Sequence, residues 1–159
     1  MYNYIFDLDY TLYSQNDVNE TNTIMYYQSF KQKPFLNNLI RSLNGNKYIF
    51  SNGNANHVNL VIEKMELQHI FKNSANADEY TLLKPNIEPY LYVIDKFNLD
   101  KADITVFFED SIENLETAKH LGWISVFINE DYINKLDYVD FWFPTIEIAL
   151  LFFINNPIS

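Results

Sequence analysis

The amino-acid sequence predicts an α/β fold in which a parallel sheet carries helices on both of its faces. Short apolar runs typical of buried strands alternate with segments whose apolar residues recur at helical spacing. Polar and acidic residues follow several of these runs, and ligands bind at the carboxyl ends of the strands in such sheets. The length of 159 residues fits one domain, 1–159, with enough chain to bury a core.

Most of the predicted strands are short and rich in β-branched and aromatic residues, whereas the one expected at 73–77 is only weakly patterned. Turn signals such as Asn44-Gly45-Asn46 separate them from the preceding helices. The strands are expected at residues 2–6, 47–50, 73–77, 104–108 and 124–128, with an edge strand near 141–143.

Three of the predicted helices show one apolar face each, which is typical of packing against a sheet. The faces consist of Val58, Val61, Ile62 and Met65, of Ile87, Leu91 and Ile94, and of Ile112, Leu115, Ala118 and Leu121. Gly122 is expected to end the last of these helices as a C-cap. Further helices are expected at residues 24–30, 34–43 and 145–154, and a loop is expected at 14–23.

Composition and charge exclude several classes of function. The formal net charge of −10 argues against a nucleic acid polymer as the partner. Without cysteine the chain has no disulfide, no thiol nucleophile and no zinc–thiolate site. The first residues show no signal-peptide pattern, and the apolar run at 148–154 is too short to span a bilayer. We therefore expect a cytoplasmic protein with no membrane partner.

Two carboxylates, Asp7 and Asp9, follow the first predicted strand. Residues two apart in extended backbone point to the same side, so the pair is expected to emerge together. Such carboxylates repel each other unless a cation or a shared proton compensates the charge. On the spacing alone, an Asp-rich turn that caps a helix is the commoner interpretation, and later stretches of the chain decide against it.

Four stretches resemble the ordered motifs of one enzyme family. They are Phe6-Asp7-Leu8-Asp9-Tyr10-Thr11-Leu12-Tyr13, Ser51-Asn52-Gly53, Lys84-Pro85 before a helix, and Glu109-Asp110-Ser111. Their order is similar to that of the haloacid dehalogenase-like (HAD) superfamily, whose fold is Rossmann-like and whose members catalyse phosphoryl transfer. The first stretch is similar to the D-L-D-N-T-L-Y text of the pyrimidine 5′-nucleotidase-like branch, from which Tyr10 departs.

The resemblance implies hydrolysis of a small phosphate monoester through an aspartyl-phosphate. Asp7 would be the nucleophile, and Asp9 would protonate the leaving oxygen and then activate water. Dehalogenase members of the family lack this second Asp, so its presence favours phosphoryl transfer. Ser51, Asn52 and Lys84 would hold the phosphoryl oxygens. Taken alone, Lys84 would be a solvated surface lysine, and a structural role is expected for His57.

The resemblance also implies Mg²⁺, which prefers oxygen ligands. Asp7, the backbone carbonyl of Asp9, and Asp110 would bind the ion, and Glu109 would bind it directly or through water. Serine and threonine at helix N-termini can both cap a helix and bind phosphate, so Ser51 could do either.

One departure from the family concerns its cap, an insert of many tens of residues between the first two motifs. Here a short insert at 14–33 takes its place, since residues 34–43 are expected to belong to the core. Two alternatives to the phosphatase stay open. One is a β-phosphoglucomutase-like phosphomutase, which Glu109-Asp110-Ser111 also resembles but which needs a closing cap. The other is a catalytically idle member used for binding or regulation.

Overall fold

The computed structural model describes residues 1–131 and 136–158, and its centre is a six-stranded sheet in which every strand is parallel to its neighbours. The spatial order of the strands is β3-β2-β1-β4-β5-β6. Their bounds are β1 Tyr2–Phe6, β2 Asn46–Phe50, β3 Asn73–Ala75, β4 Ile104–Glu109, β5 Ile124–Ile128 and β6 Phe141–Phe143. All six strands were predicted, and β6 lies at the sheet edge as expected.

The described residues form six α-helices, five of which cover the two faces of this sheet. Their bounds are α1 Thr23–Ser29, α2 Pro34–Ser42, α3 Ala55–Lys64, α4 Ile87–Lys96, α5 Ile112–His120 and α6 Ile146–Asn155. Helices α2, α3 and α6 contribute to one buried apolar cluster, and α4 and α5 contribute to the other. The predicted α/β architecture with helices on both faces is therefore confirmed.

Strand β1 lies in the middle of the sheet, and this position explains why its sequence is so apolar. Phe6 packs into the cluster on one face, whereas Ile5 packs into the cluster on the other. A strand that is buried on both faces needs apolar side chains at successive positions. Pairing with β2 and β4 fixes its register, with Phe6 opposite Ile49 and Phe108.

The buried face of α4 differs from the predicted one. Ile87 and Leu91 are 48% and 54% exposed, and only Ile94 of the predicted face packs partly buried against the core. Tyr90 and Val93 are buried instead, as is Phe97 just after the helix. The prediction followed the aliphatic residues and overlooked the aromatic ones, which bury more surface. Burial of Tyr90 is tolerated because its hydroxyl donates a hydrogen bond of 2.6 Å to the backbone carbonyl of Asn114.

The segment at 14–33 is a loop with a 3₁₀ turn at Gln15–Asp17, followed by the seven-residue helix α1. Phe30, just after α1, is buried against the ring of Tyr13. Among the helices of the described residues, none is long and apolar enough to cross a membrane.

Candidate active site

The carboxyl ends of β1, β2 and β4 bring the predicted site residues to one edge of the sheet. Asp7 follows β1, Ser51 follows β2, and Glu109 ends β4. The ladder continues past the strands, because Asp7 N donates to Phe108 O at 2.9 Å and Ser51 N donates to Ala75 O at 3.0 Å. These backbone hydrogen bonds extend the sheet by one residue and so fix the positions of Asp7 and Ser51 relative to the neighbouring strands.

The loop after β1 folds back on itself, so that Thr11 reaches the first carboxylate. Thr11 Oγ1 donates to Asp7 Oδ2 at 3.1 Å, and Leu12 N donates to Leu8 O at 3.1 Å. Tyr10 adopts a φ of 61° between them, in the left-handed region that Asn occupies more readily than a bulky residue. This conformation gives a physical reason for Asn at that position in the motif that Tyr10 departs from.

Lys84 is a buried cation, not the surface lysine that it would be if taken alone. Its ammonium group donates to Asp7 Oδ1 at 3.0 Å, to Glu109 Oε1 at 2.9 Å and to the carbonyl of Phe50 at 2.8 Å. Burial alone would lower the pKa of Lys84, but the charges of Asp7 and Glu109 outweigh it and hold that pKa well above its usual range.

Asn52 fixes the backbone from which Lys84 projects. Its Oδ1 accepts from Lys84 N at 3.0 Å, and its Nδ2 donates to Lys84 O at 3.1 Å. Ser51 is fully buried, and its Oγ accepts from Gly53 N at 2.9 Å. The N-cap of α3 is Asn54 and not Ser51. Phosphate binding by Ser51 and Asn52 therefore stays a prediction, while Asn52 has a defined positioning role.

Both oxygens of Glu109 are occupied by protein donors. Oε1 accepts from Lys84 and from Asn114 Nδ2 at 2.6 Å, and Oε2 accepts from the backbone N–H groups of Asp110 and Ser111 at 2.7 and 2.9 Å. Burial raises the pKa of Glu109, but the charge of Lys84 and hydrogen bonds to the side chains of Asp110, Lys84 and Asn114 bring it below its usual value. The arrangement favours contact with a metal through water over direct ligation.

Asp7, Glu109 and Asp110 form a compact acidic cluster. One oxygen from each lies within 4.8 Å of the others. Burial, together with the charges of its neighbours, raises the pKa of Asp7 to about 7 and that of Asp110 to about 9. Burial is the main cause of both shifts and the charge of Glu109 adds to it, so ionisation of all three carboxyl groups is unfavourable unless a cation compensates it. Oxygen ligands with uncompensated charge suit Mg²⁺, so these residues fit the ion that the sequence predicts.

Asp9 has two side-chain partners that sequence reasoning missed. His57 Nε2 lies 2.6 Å from Asp9 Oδ1, and the hydroxyl of Tyr13 donates to the same oxygen at 2.5 Å. Tyr13 stands four residues after Asp9, a spacing that could have suggested the contact. His57 is 48 residues away, and no signal in the sequence connects it to Asp9.

An open cavity of about 640 Å³ adjoins this site. Its lining includes Asp110, Thr11 and the half-exposed ring of Tyr10. Further from the acidic cluster, Lys33 lies 3.2 Å from both Asp17 and Glu147. A cavity of this volume is large enough for a small organic ligand beside Asp110.

Solved structures share this fold at low sequence identity. A protein assigned as a beta-phosphoglucomutase from Thermotoga maritima has a TM-score of 0.71 at 15% identity, covering 95% of this chain and 97% of its own. A HAD phosphatase from Thermococcus onnurineus has a TM-score of 0.66 at 20% identity, with 82% and 61% covered. The L-2-haloacid dehalogenase of Xanthobacter autotrophicus has a TM-score of 0.64 at 15% identity, with 79% and 63% covered.

These likenesses show a Rossmann-like HAD fold, and the chain spans about three fifths of the length of the phosphatase and the dehalogenase. No curated protein matches the sequence. The family model described as haloacid dehalogenase-like hydrolase matches residues 21–122. Because that match covers well over half of the chain, this protein belongs to the haloacid dehalogenase-like hydrolase family.

Proposed function

We propose that this protein is a Mg²⁺-dependent phosphatase that hydrolyses small phosphate monoesters through an aspartyl-phosphate on Asp7. The observation that carries the proposal is the position of Asp7. Its carboxylate is buried at the end of β1, with one oxygen held by Thr11 and the other by Lys84. A fixed carboxylate next to a cation is a competent nucleophile at phosphorus once the charge repulsion is removed.

The proposed reaction has two steps. A carboxylate oxygen of Asp7 bonds to phosphorus while the bond from phosphorus to the alcohol oxygen breaks, and Asp9 gives its proton to that oxygen. Water then attacks the phosphoryl group and loses a proton to Asp9, which releases inorganic phosphate and restores Asp7. Lys84 lies within reach of both Asp7 and Glu109 and compensates negative charge on the phosphoryl oxygens.

The proposed metal ligands are Asp7, the carbonyl of Asp9, and Asp110, with Glu109 acting through water. Bound Mg²⁺ would supply charge neutralisation between the nucleophile and the phosphoryl group. The raised pKa values of Asp7 and Asp110 support a cation there, because ionisation of both is unfavourable without one.

Asp9 separates the proposed activity from the dehalogenase activity of structural neighbours. A departing halide needs no proton, whereas an alkoxide does, and Asp9 is the residue that we propose donates it. The phosphomutase ranks below, because the 14–33 segment offers one seven-residue helix as a lid. A catalytically idle binding protein is the third candidate, and retention of all four motif acids argues against it.

The proposed substrates are small phosphorylated molecules in the cytoplasm, among them the pyrimidine nucleoside monophosphates that the first motif suggests by resemblance. The short insert leaves the cavity open, so we propose broad, modest activity. Comparing kcat/KM for sugar phosphates, nucleoside monophosphates and phosphoamino acids tests this. A preference of roughly a hundredfold for one nucleotide, about 2.7 kcal/mol, would contradict it and favour the nucleotidase branch.

The central test is hydrolysis of p-nitrophenyl phosphate with and without Mg²⁺. Turnover that needs Mg²⁺ and is lost in Asp7→Asn is the expected result. Absence of turnover at millimolar Mg²⁺ would favour the alternative of a catalytically idle protein. Turnover by Asp7→Asn at the wild-type rate would refute the assignment of Asp7 as the nucleophile.

A further inference from the structure

We propose that His57 is a positioning residue that aims Asp9 at the leaving group, and that the short insert serves to hold His57. The inference rests on the proposed function, since it concerns proton transfer by Asp9. It gives the 14–33 segment a task different from covering the substrate.

Both side-chain contacts of Asp9 are made to the same one of its two carboxylate oxygens. His57 Nε2 and the Tyr13 hydroxyl both bind Oδ1, at 2.6 and 2.5 Å. In the part of the chain that the structure describes, no hydrogen bond is seen to Oδ2. A carboxylate whose one oxygen is held twice has a fixed plane, and the remaining oxygen is available to give and take the proton.

Donors and acceptors match along the hydrogen bonds that connect Tyr27 of the insert through His57 to Asp9. An ionised Asp9 only accepts, so His57 Nε2 must donate to it. Nδ1 of a neutral ring then accepts, and the hydroxyl of Tyr27 lies 2.8 Å away as the donor. We assign the tautomer from this network. Tyr27 belongs to α1, so the insert fixes which nitrogen of His57 faces Asp9.

The same helix also supports the second contact. The hydroxyl of Tyr26 lies 2.7 Å from that of Tyr13, and the Tyr26 ring stacks on the His57 ring with centroids 6.3 Å apart. Two successive residues of α1 thus reach the two groups that hold Asp9.

Gly53 provides the space that the His57 ring needs. A Cβ built on Gly53 would lie 2.6 Å from His57 Cδ2, closer than real contacts allow. The ring is therefore confined between the loop after β2 and helix α1.

The test uses two esters with nearly the same ring but different leaving groups. p-Nitrophenolate departs without a proton, whereas the alkoxide of p-nitrobenzyl phosphate needs one. The ratio of kcat/KM is the readout, because kcat/KM covers only the steps up to departure of the alcohol. His57→Ala is expected to lower kcat/KM for the benzyl ester about tenfold more than for the phenyl ester.

Three further variants sharpen this result. His57→Gln keeps a donor at the right reach and is expected to restore most of the ratio. Tyr27→Phe, which frees His57 Nδ1, should shift the ratio in the same direction by a smaller amount. Tyr92→Phe removes a hydroxyl that donates to Glu79 at 2.9 Å away from the site, and it should leave the ratio unchanged. Equal loss for both esters, or no rescue by Gln, would overturn the proposal.

Melting temperatures separate failure of this inference from failure of the proposed function. If His57 acts on Asp9, the double variant His57→Ala, Asp9→Ala should lose little more stability than the worse single variant. Additive losses would refute the contact whatever the activity. A wild-type protein that hydrolyses neither ester would refute the phosphatase, and proton transfer with it, even if the losses are not additive.

Discussion

Lys84 Nζ and Asp7 Oδ1 are 3.0 Å apart although 77 residues separate the two in sequence. The ammonium group is fully buried and touches Glu109 as well. Removal of one partner from a buried ion pair leaves the other charge without compensation, which costs more than the pair itself contributes. The fold is therefore most sensitive to loss of Lys84, because Glu109 still compensates the ammonium group when Asp7 loses its charge.

Lys84→Met is expected to remove activity and to destabilise the fold by about 3–5 kcal/mol, because Asp7 and Glu109 would remain buried without their cation. For a chain of this size the melting temperature should fall by roughly 6–20 °C. Thermal unfolding checks this, with Lys101→Met as the matched control on the exposed surface. Equal melting temperatures for the two variants would contradict the buried pair.

Asp7→Asn is expected to abolish turnover and yet to stabilise the metal-free protein at pH 8. Burial raises the pKa of Asp7 to about 7, so its ionised form is unfavourable in the folded state at that pH. The amide keeps the size of the side chain and removes the charge. Circular dichroism and melting in EDTA test the expectation against Asp95→Asn, an exposed control. A lower melting temperature for Asp7→Asn would contradict the raised pKa.

Without metal, the protein should lose stability as the pH rises from 6 to 9. The folded-state pKa values of Asp7 and Asp110, about 7 and about 9, lie above those of the unfolded chain. The folded state therefore holds more protons in this range, and its advantage disappears as the pH passes those values. Melting curves in EDTA should show a smaller decline for Asp110→Asn than for the wild type.

Mg²⁺ should raise the melting temperature, because it binds the folded state alone. The increase should grow from pH 6 to pH 9, since the metal competes with protons for Asp7 and Asp110. Asp110→Ala is expected to lose this increase together with activity. A wild-type melting temperature that ignores millimolar Mg²⁺ at pH 8 would count against the metal site.

The buried face of α4 gives a paired test of packing. Phe97→Ala should cost about 3–5 kcal/mol, because the ring is buried and stacks on Tyr48 with centroids 4.4 Å apart. Leu91→Ala should cost less than about 0.5 kcal/mol, since the side chain is largely exposed. Chemical denaturation measures both. A larger loss of unfolding free energy for Leu91→Ala than for Phe97→Ala would support the buried face predicted from the aliphatic residues.

The sheet could be predicted because its signals are local. The three strands that carry the site, β1, β2 and β4, each end in an apolar run just before a polar motif, and parallel order then brings Asp7, Ser51 and Glu109 together. The predicted buried face of α4 was wrong at Ile87 and Leu91, because the sequence does not show whether a tyrosine can be buried. Burial of a tyrosine requires a hydrogen-bond partner for its hydroxyl. For Tyr90 that partner is a carbonyl 24 residues further along the chain.

The contacts that tune the site could not be predicted, because they depend on how distant segments meet. The hydrogen bond between Tyr27 and His57 depends on where α1 lies relative to α3. The hydrogen bonds that occupy both oxygens of Glu109 depend on how the chain passes from β4 into α5. The order of motifs specifies which residues converge. It does not specify which oxygen of each carboxylate is already bonded, and that decides whether a residue binds metal or positions its neighbours.

The left-handed turn at Tyr10 has a consequence for the energetics of reaction. By reversing the chain within a few residues, it lets Thr11 hold the carboxylate of Asp7 while Asp9, between them in sequence, projects toward the same edge of the sheet. The proposed nucleophile Asp7, its orienting hydroxyl and the proposed proton donor Asp9 therefore share one short, backbone-bonded segment. Little conformational freedom remains to be lost when a substrate arrives, so more of its binding free energy is available to lower the barrier.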